Sequence, residues 1–228
     1  MAQSITAPLF SSMLTWPMLL DLLRGAGITV AVSSVSIMAG VPLGLILALG
    51  RTTKLRAVRG VCAVYASFMR ATPVVTFVML IFFGLPALGV SLNPLPAAVI
   101  ALALNTTAFN SEIWRAAILD VPREQLESAR AFGMTGPVTF RRIVFPQIWR
   151  ASLPALVNEM TLLIKASPAI AIIGVVDLTR KARQIAATTY EPLPPFLAAA
   201  IIYGLALLLL VAAARALERH LRLRLGRL

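Results

Sequence analysis

Five long runs of hydrophobic residues, separated by short polar and charged segments, dominate the pattern of this chain. A helix needs about 20 apolar residues to cross the hydrocarbon core of a bilayer, and each run is long enough to do so. The runs cover approximately residues 25–49, 60–83, 95–118, 152–174 and 195–217. The pattern therefore predicts an all-α membrane protein with five transmembrane helices in one domain, 1–228.

The composition supports a membrane location. The 228-residue chain is 59% hydrophobic and only 13% charged, whereas soluble domains carry about 25% charged residues. The first 20 residues contain no Lys or Arg, although a cleavable signal peptide begins with a basic stretch. We therefore expect the first span to remain in the mature protein.

Basic residues are distributed unevenly between the connecting segments. Fifteen follow or flank the first, third and fifth runs, at Arg51, Lys54, Arg56, Arg59, Arg115, Arg123, Arg130, Arg141, Arg142, Arg150, Arg215, Arg219, Arg222, Arg224 and Arg227. Four lie on the other side, at Arg24, Arg180, Lys181 and Arg183. Because Lys and Arg are enriched on the cytoplasmic side, the N-terminus is predicted to be periplasmic and the C-terminus cytoplasmic. This orientation also explains the net charge of +12, so no nucleic-acid partner is expected.

Segment 122–145, between the third and fourth runs, predicts a cytoplasmic elbow of two short helices. Asp120 is placed to cap the first helix, and Gly133 can adopt the left-handed conformation that ends it. Thr135 can cap the second helix. Ala129 and Gly133 would let the side chains of a soluble partner pack closely, although an amphipathic elbow lying on lipid headgroups is the alternative.

Two further segments allow two interpretations each. Gly40 and Gly44 have the spacing that lets another helix backbone approach closely, or they reflect the ordinary use of glycine in membrane helices. The polar segment 177–190 either packs on the outer face, as a gate or docking surface, or forms an exposed loop.

The elbow carries a spaced set of residues, which is Glu127-Ser128-Ala129, Gly133, Ile143, Phe145 and Pro146. This set resembles the EAA motif of ABC importer permeases, in which EAA, three residues, G, nine residues, I, one residue and LP follow one another. Ser128 and Phe145 are the two departures. Other fragments are similar to the polar amino acid subfamily (the histidine, glutamine and arginine permeases), at residues 70–73, 82–86, 111–115, 158–165 and 174–179.

The resemblance implies the type I ABC importer permease fold, in a homo- or heterodimer in the bacterial inner membrane. Two cytoplasmic ATPase subunits would drive it, and a periplasmic or tethered solute-binding protein would deliver an amino acid. The coupling helix between spans three and four would contact the ATPase through Glu127, Ser128, Ala129, Arg130, Phe132 and Gly133. The chain has no G-x-x-x-x-G-K-[ST] phosphate loop, so it is not expected to be an enzyme. ATP and Mg are expected on the partner, with no cofactor or metal bound by this chain.

Polar residues inside the runs need partners, water or a function, because a charge at a span centre costs about 2.5–3.5 kcal/mol. The candidates for the substrate pathway are Arg70, Thr72, Asn105, Asn110, Glu112, Glu159 and Lys165. In one interpretation, a cavity that passes the ammonium and carboxylate groups of an amino acid is lined by Asn105, Asn110, Glu112 and Glu159. The alternative is that they form hydrogen bonds between helices and hold the bundle together.

The sequence leaves alternatives open for the substrate and for the energy source of transport. The family commonly has Lys-Asp-Thr-Ser-Leu where residues 165–169 read Lys-Ala-Ser-Pro-Ala, which leaves the usual substrate preference open. Cationic, acidic, amide, cystine-like and opine substrates all fit. An ATP-independent secondary carrier or channel is the alternative function, but it gives no reason for the spaced motif in the elbow.

Overall fold

The computed structural model describes residues 15–225, and all regular structure in this range is helical. The α-helices are α1 (Trp16–Thr52), α2 (Arg56–Ala71), α3 (Val74–Met79), α4 (Pro94–Leu119), α5 (Arg123–Ala131), α6 (Gly136–Thr139), α7 (Phe145–Ala166), α8 (Leu178–Thr189) and α9 (Leu193–Leu225). Short π-helical and 3₁₀ segments adjoin them, at Leu80–Gly84, Leu85–Leu88, Phe140–Val144 and Ser167–Ile173. Most of the N-terminal stretch without Lys or Arg, and the basic residue Arg227, lie outside the described residues, whereas the first predicted span lies within α1.

Helix α4 is the buried centre of the bundle, and α1 packs along it. The two backbones approach closely at the predicted pair of glycines. A Cβ added at Gly40 would lie 2.2 Å from Thr106 Cγ2, and one added at Gly44 would lie 2.6 Å from Asn110 Cβ. The interpretation of this spacing as a helix-packing motif is therefore confirmed.

The second predicted span, 60–83, is broken at Pro73. Helix α2 ends at Ala71, and the chain then bends by 110° into segment Val74–Leu88. Proline lacks an N–H group and forces the preceding residue out of the helical region, so Thr72 is extended, with ψ 127°. The predicted interruption is confirmed, but the two halves do not form one straight rod.

Three segments of the described chain are long and apolar enough to cross a membrane: Trp16–Thr52, Gly136–Ile173 and Leu193–Ala213. The bent pair of α2 and Val74–Leu88 brings the number to four if it counts as one span. Helix α4, the predicted third span, has 26 residues. Its polar residues, which begin at Asn105, lower its hydropathy.

The fourth predicted span, 152–174, begins earlier than expected. The chain runs from Gly136 through a π-helical turn and α7 to Ile173. Pro146 does not separate the elbow from this span, because the backbone stays helical from the π-helical turn Phe140–Val144 through Pro146 into α7. The second elbow helix is thus continuous with the span that follows it.

Segment 177–190 forms a packed helix, so its interpretation as an exposed loop is wrong. Asp177 is fully buried and caps α8, accepting a hydrogen bond from the Arg180 N–H at 2.8 Å. Leu178 N–H donates to Thr29 Oγ1 of α1 at 3.2 Å, and the Tyr203 hydroxyl of α9 donates to Asp177 Oδ2 at 3.5 Å. Burial raises the pKa of Asp177, although the hydrogen bonds from the Arg180 N–H and the Tyr203 hydroxyl oppose the shift.

The glycine contact between α1 and α4 predicts a selective loss of stability. Gly44→Ala places a methyl group 3.2 Å or less from Asn110 backbone and Cβ atoms, so we expect the free energy of unfolding to fall by about 1–3 kcal/mol. Gly27→Ala in the same helix is the matched control, because no atom lies within 4 Å of its added Cβ. Thermal denaturation of the purified protein in nanodiscs measures both. Equal melting temperatures for the two variants would contradict the close packing.

Candidate functional site

Two adjoining cavities lie between α2, α4 and α7. The larger, about 710 Å³, has five polar lining residues, which are Ser67, Arg70, Glu112, Asn158 and Glu159. The smaller, about 300 Å³, is lined by Thr72 and Asn105 together with mainly apolar side chains. Phe109 and Glu159 border both cavities, so the two volumes meet at these residues.

Three arginines surround the Glu112 carboxylate on one side of the larger cavity. Arg51 Nη1 of α1 lies 2.6 Å from Glu112 Oε2, and Arg70 Nη1 of α2 lies 3.0 Å from the same oxygen. Arg115 of α4 donates from Nε to Oε1 at 3.0 Å. We call these four residues the arginine cluster. Because three cations of the chain already occupy Glu112, its carboxylate is not free to bind the ammonium group of a substrate.

Glu159 also lines the cavity, from α7, and has different surroundings. It is buried, and among the side chains that the structure describes no basic group lies within 4 Å of its carboxylate. The larger cavity is therefore lined by the Glu159 carboxyl group of α7 and, from the arginine cluster, by Arg70 and Glu112.

The structure brings two more of the predicted pathway residues to the smaller cavity. Asn105 lies on its wall, and its Nδ2 is 3.5 Å from the Met69 carbonyl oxygen. Thr72 also lies there, but its hydroxyl donates to the Phe68 carbonyl at 2.8 Å. The hydrogen bond of Asn105 is therefore the longer of the two, so its amide is more available to a ligand than the Thr72 hydroxyl is.

Asn110 and Lys165 are not brought to either cavity. Asn110 is buried against Gly44 and donates to Thr106 Oγ1 at 3.2 Å, which matches the alternative of a bundle-bracing residue. Lys165 follows Glu159 by six residues, which corresponds to about 240° of rotation around a helix. It therefore lies on a different side of α7 from Glu159, where it is exposed. These two residues have no contact with the proposed pathway.

Sequence reasoning missed Phe109 and the role of Arg51. Phe109 follows Asn105 by four residues, so helical spacing placed it on the same face of α4. Arg51 contacts a carboxylate 61 positions further along the chain. The sequence pattern indicates only its contribution to the orientation of the chain in the membrane. No local pattern indicates such a contact.

The elbow forms as two short helices, with one predicted cap wrong. Helix α5 begins after Pro122, whereas Asp120 is the C-terminal cap residue of α4 and has no capping role in α5. Gly133 has φ +71°, which confirms the predicted left-handed turn. Thr135 occupies the position preceding α6, but its side chain makes no capping hydrogen bond.

The elbow exposes most of the residues predicted to contact a partner. Phe132 is 86% exposed, an unusual state for a large aromatic side chain, and Glu127, Ser128, Arg130 and Gly133 are exposed as well. Ala129 is different, because it is only 3% exposed. Its methyl group packs within this chain, so it is not available to a partner in this conformation.

Contacts with α7 connect the elbow to the cavity. Gln147 Nε2 of α7 donates to Gln125 Oε1 of α5 at 2.7 Å. Leu126 of α5 packs against a buried cluster that includes Trp114 and Ile148. Since α7 also carries Glu159, a displacement of α5 would be transmitted towards the cavity wall.

The sequence matches the family described as binding-protein-dependent transport system inner membrane component over residues 40–223. The chain belongs to this family. Its relatives include the L-cystine transport system permease protein TcyB of Bacillus subtilis, which is 40% identical over 207 residues, 90% of this chain and 87% of the relative. The arginine transport system permease protein ArtQ of the same organism is 36% identical over 91% of this chain and 95% of that protein.

A solved structure supports the fold of the permease. The crystal structure of an amino acid ABC transporter with histidines superposes with a TM-score of 0.80 and is 33% identical in sequence. The match covers 88% of this permease and 94% of that chain. The permease therefore has the type I ABC importer fold.

The arginine cluster predicts that removing its one negative charge destabilises the permease. Glu112→Gln leaves three guanidinium groups facing one another, so we expect the free energy of unfolding to fall by about 1.5–3 kcal/mol. Asp21→Asn is the control, because the ion pairs of Asp21 with the described residues Arg24 and Lys181 are longer, at 3.6 Å, and such surface pairs contribute about 0–1 kcal/mol. Thermal denaturation in nanodiscs compares them. A loss for Glu112→Gln no larger than that for Asp21→Asn would contradict the structural role of the cluster.

Proposed function

We propose that this chain is the permease subunit of an ABC importer that moves a polar amino acid into the bacterial cytoplasm. The observation that carries the proposal is the cavity of about 710 Å³ with Arg70 on one wall and Glu159 on another. Its volume lies within the range of small-molecule sites. Its two opposite charges are complementary to the carboxylate and ammonium groups of a zwitterion.

The named relatives favour the same class of substrate. One is a permease for L-cystine, one for arginine, and the solved transporter carries histidines. Each of these molecules has an α-carboxylate and an α-ammonium group and differs only in its side chain. The shared groups are therefore the ones that a common cavity must accommodate.

The proposed topology has five spans, namely α1, the bent pair of α2 and Val74–Leu88, α4, α7 and α9. The distribution of basic residues supports a periplasmic N-terminus and a cytoplasmic C-terminus in the inner membrane. This orientation places α8 at the periplasmic face and the elbow in the cytoplasm. Helix α4 can span the membrane despite its polar residues, because neighbouring helices bury them.

The proposed mechanism is alternating access driven by two ATPase subunits. Helix α5 acts as the coupling helix, and its exposed Phe132, Glu127 and Arg130 contact an ATPase subunit. ATP with Mg binds to that partner, where closure of the ATPase pair moves α5. The contacts of α5 with α7 transmit the movement to Glu159, so the cavity opens in turn to each side. The rest of the assembly is a second permease chain and a solute-binding protein.

Reconstitution tests this function against an ATP-independent carrier or channel. The permease is incorporated into liposomes with the ATPase and the binding protein encoded beside it, and uptake of polar amino acids is measured. We expect uptake to require ATP inside the liposomes together with the binding protein. Equal uptake without ATP would contradict the proposal and favour the carrier.

The elbow predicts that a single side chain controls attachment of the ATPase. Phe132→Ala removes the most exposed aromatic ring of the elbow, so we expect the amount of copurified ATPase to fall several-fold, since exposed aromatic side chains are frequent energetic centres of interfaces. Glu127→Lys is expected to uncouple ATP hydrolysis from uptake. Leu88→Ala is the matched control, because Leu88 is 79% exposed but lies on the predicted periplasmic side. Full copurification and normal uptake with Phe132→Ala and Glu127→Lys would count against the elbow as the coupling helix.

A further inference from the structure

We propose that Arg70 is the anchor for the α-carboxylate of the substrate, so that the permease itself selects molecules with a free carboxylate. This inference rests on the proposed function and deepens it, because it names the group of the substrate that the transmembrane cavity recognises. It starts from the balance of charge in the arginine cluster. Three guanidinium groups share the single carboxylate of Glu112, which leaves two positive charges in excess.

The positions of the three arginines decide where the excess charge faces. Arg51 is 13% exposed and also donates to Ser111 Oγ at 3.2 Å, and neither Arg51 nor Arg115 lines the cavity. Arg70 does line it, and its side chain is 39% exposed. Arg51 and Arg115 therefore hold Glu112 from outside the cavity, while Arg70 presents a cation to its interior.

Arg70 also has hydrogen-bond donors to spare. A guanidinium group has five N–H donors in a planar fork, and in the described part of the chain the polar contact of Arg70 is the ion pair through Nη1. The remaining donors can bind a carboxylate in the two-pronged geometry that suits arginine. Helix α2 ends at Ala71, before Pro73. Arg70 therefore lies in the last turn of this helix.

Glu159, which also lines the cavity, explains why the ligand is a zwitterion and not a simple anion. Among the side chains that the structure describes, no basic group lies within 4 Å of the Glu159 carboxylate, and Glu159 borders both cavities. A molecule with its carboxylate at Arg70 can place a cationic group at Glu159 and extend its side chain past Phe109. A decarboxylated amine would bind at Glu159 but supply no carboxylate to the remaining N–H donors of Arg70.

Binding to the complex of permease and ATPase in nanodiscs, without the solute-binding protein, tests the proposal. The probe is the polar L-amino acid, cystine included, that binds the wild type most tightly. Its matched probe is the amine that lacks the carboxylate, such as agmatine for arginine or histamine for histidine. We expect Arg70→Gln to weaken binding of the amino acid about 10- to 100-fold, the range for a hydrogen bond to a charged group, and to leave binding of the amine unchanged.

Arg51→Gln is the matched control, because it removes an ion pair to the same Glu112 oxygen from outside the cavity. It should preserve the preference for the amino acid over the amine. If Arg70→Gln does not give a folded complex, Arg70→Lys replaces it, with a selective loss of about tenfold expected because lysine lacks the fork. Equal weakening of both probes, or the same selective loss with Arg51→Gln, would overturn the carboxylate site alone. A wild type that binds none of the amino acids and takes none up would overturn the proposed function and this inference together.

Discussion

The arrangement of the helices around the cavity depends on one carboxylate shared by three guanidinium groups. Glu112 of α4 contacts Arg51 of α1, Arg70 of α2 and Arg115 of its own helix. These side chains are partly buried, so pairing their charges favours the arrangement in which the helices meet here. The glycine contact between α1 and α4 allows the close approach that this pairing requires.

The same constraint shapes the cavity. Arg51 and Arg115 contact Glu112 from outside the cavity, whereas Arg70 lines it, and Glu159 of α7 adds a carboxyl group to the same lining. Helix α7 connects this wall to the elbow, since it bonds to α5 through Gln147 and packs against it through a shared apolar cluster. In the proposed mechanism, recognition of a zwitterion and response to a partner at the elbow would therefore involve the same helix.

The sequence predicted those features that depend on local chemistry. The break at Pro73, the turn at Gly133 and the packing role of Gly40 and Gly44 each follow from one or two residues and their backbone or steric properties. Contacts between distant residues were not predictable, because Arg51 and Glu112 meet only after the fold has formed. Asp120 shows the limit of local rules, since α4 continues up to it and leaves Pro122 to precede the next helix.

A structure of the whole transporter with its amino acid, determined by cryo-electron microscopy, tests the central claim most directly. The account predicts ligand density between Arg70 and Glu159, with the carboxylate towards Arg70, and an ATPase subunit seated on α5 around Phe132. A ligand bound away from both charged residues, or an elbow that touches only lipid, would contradict it.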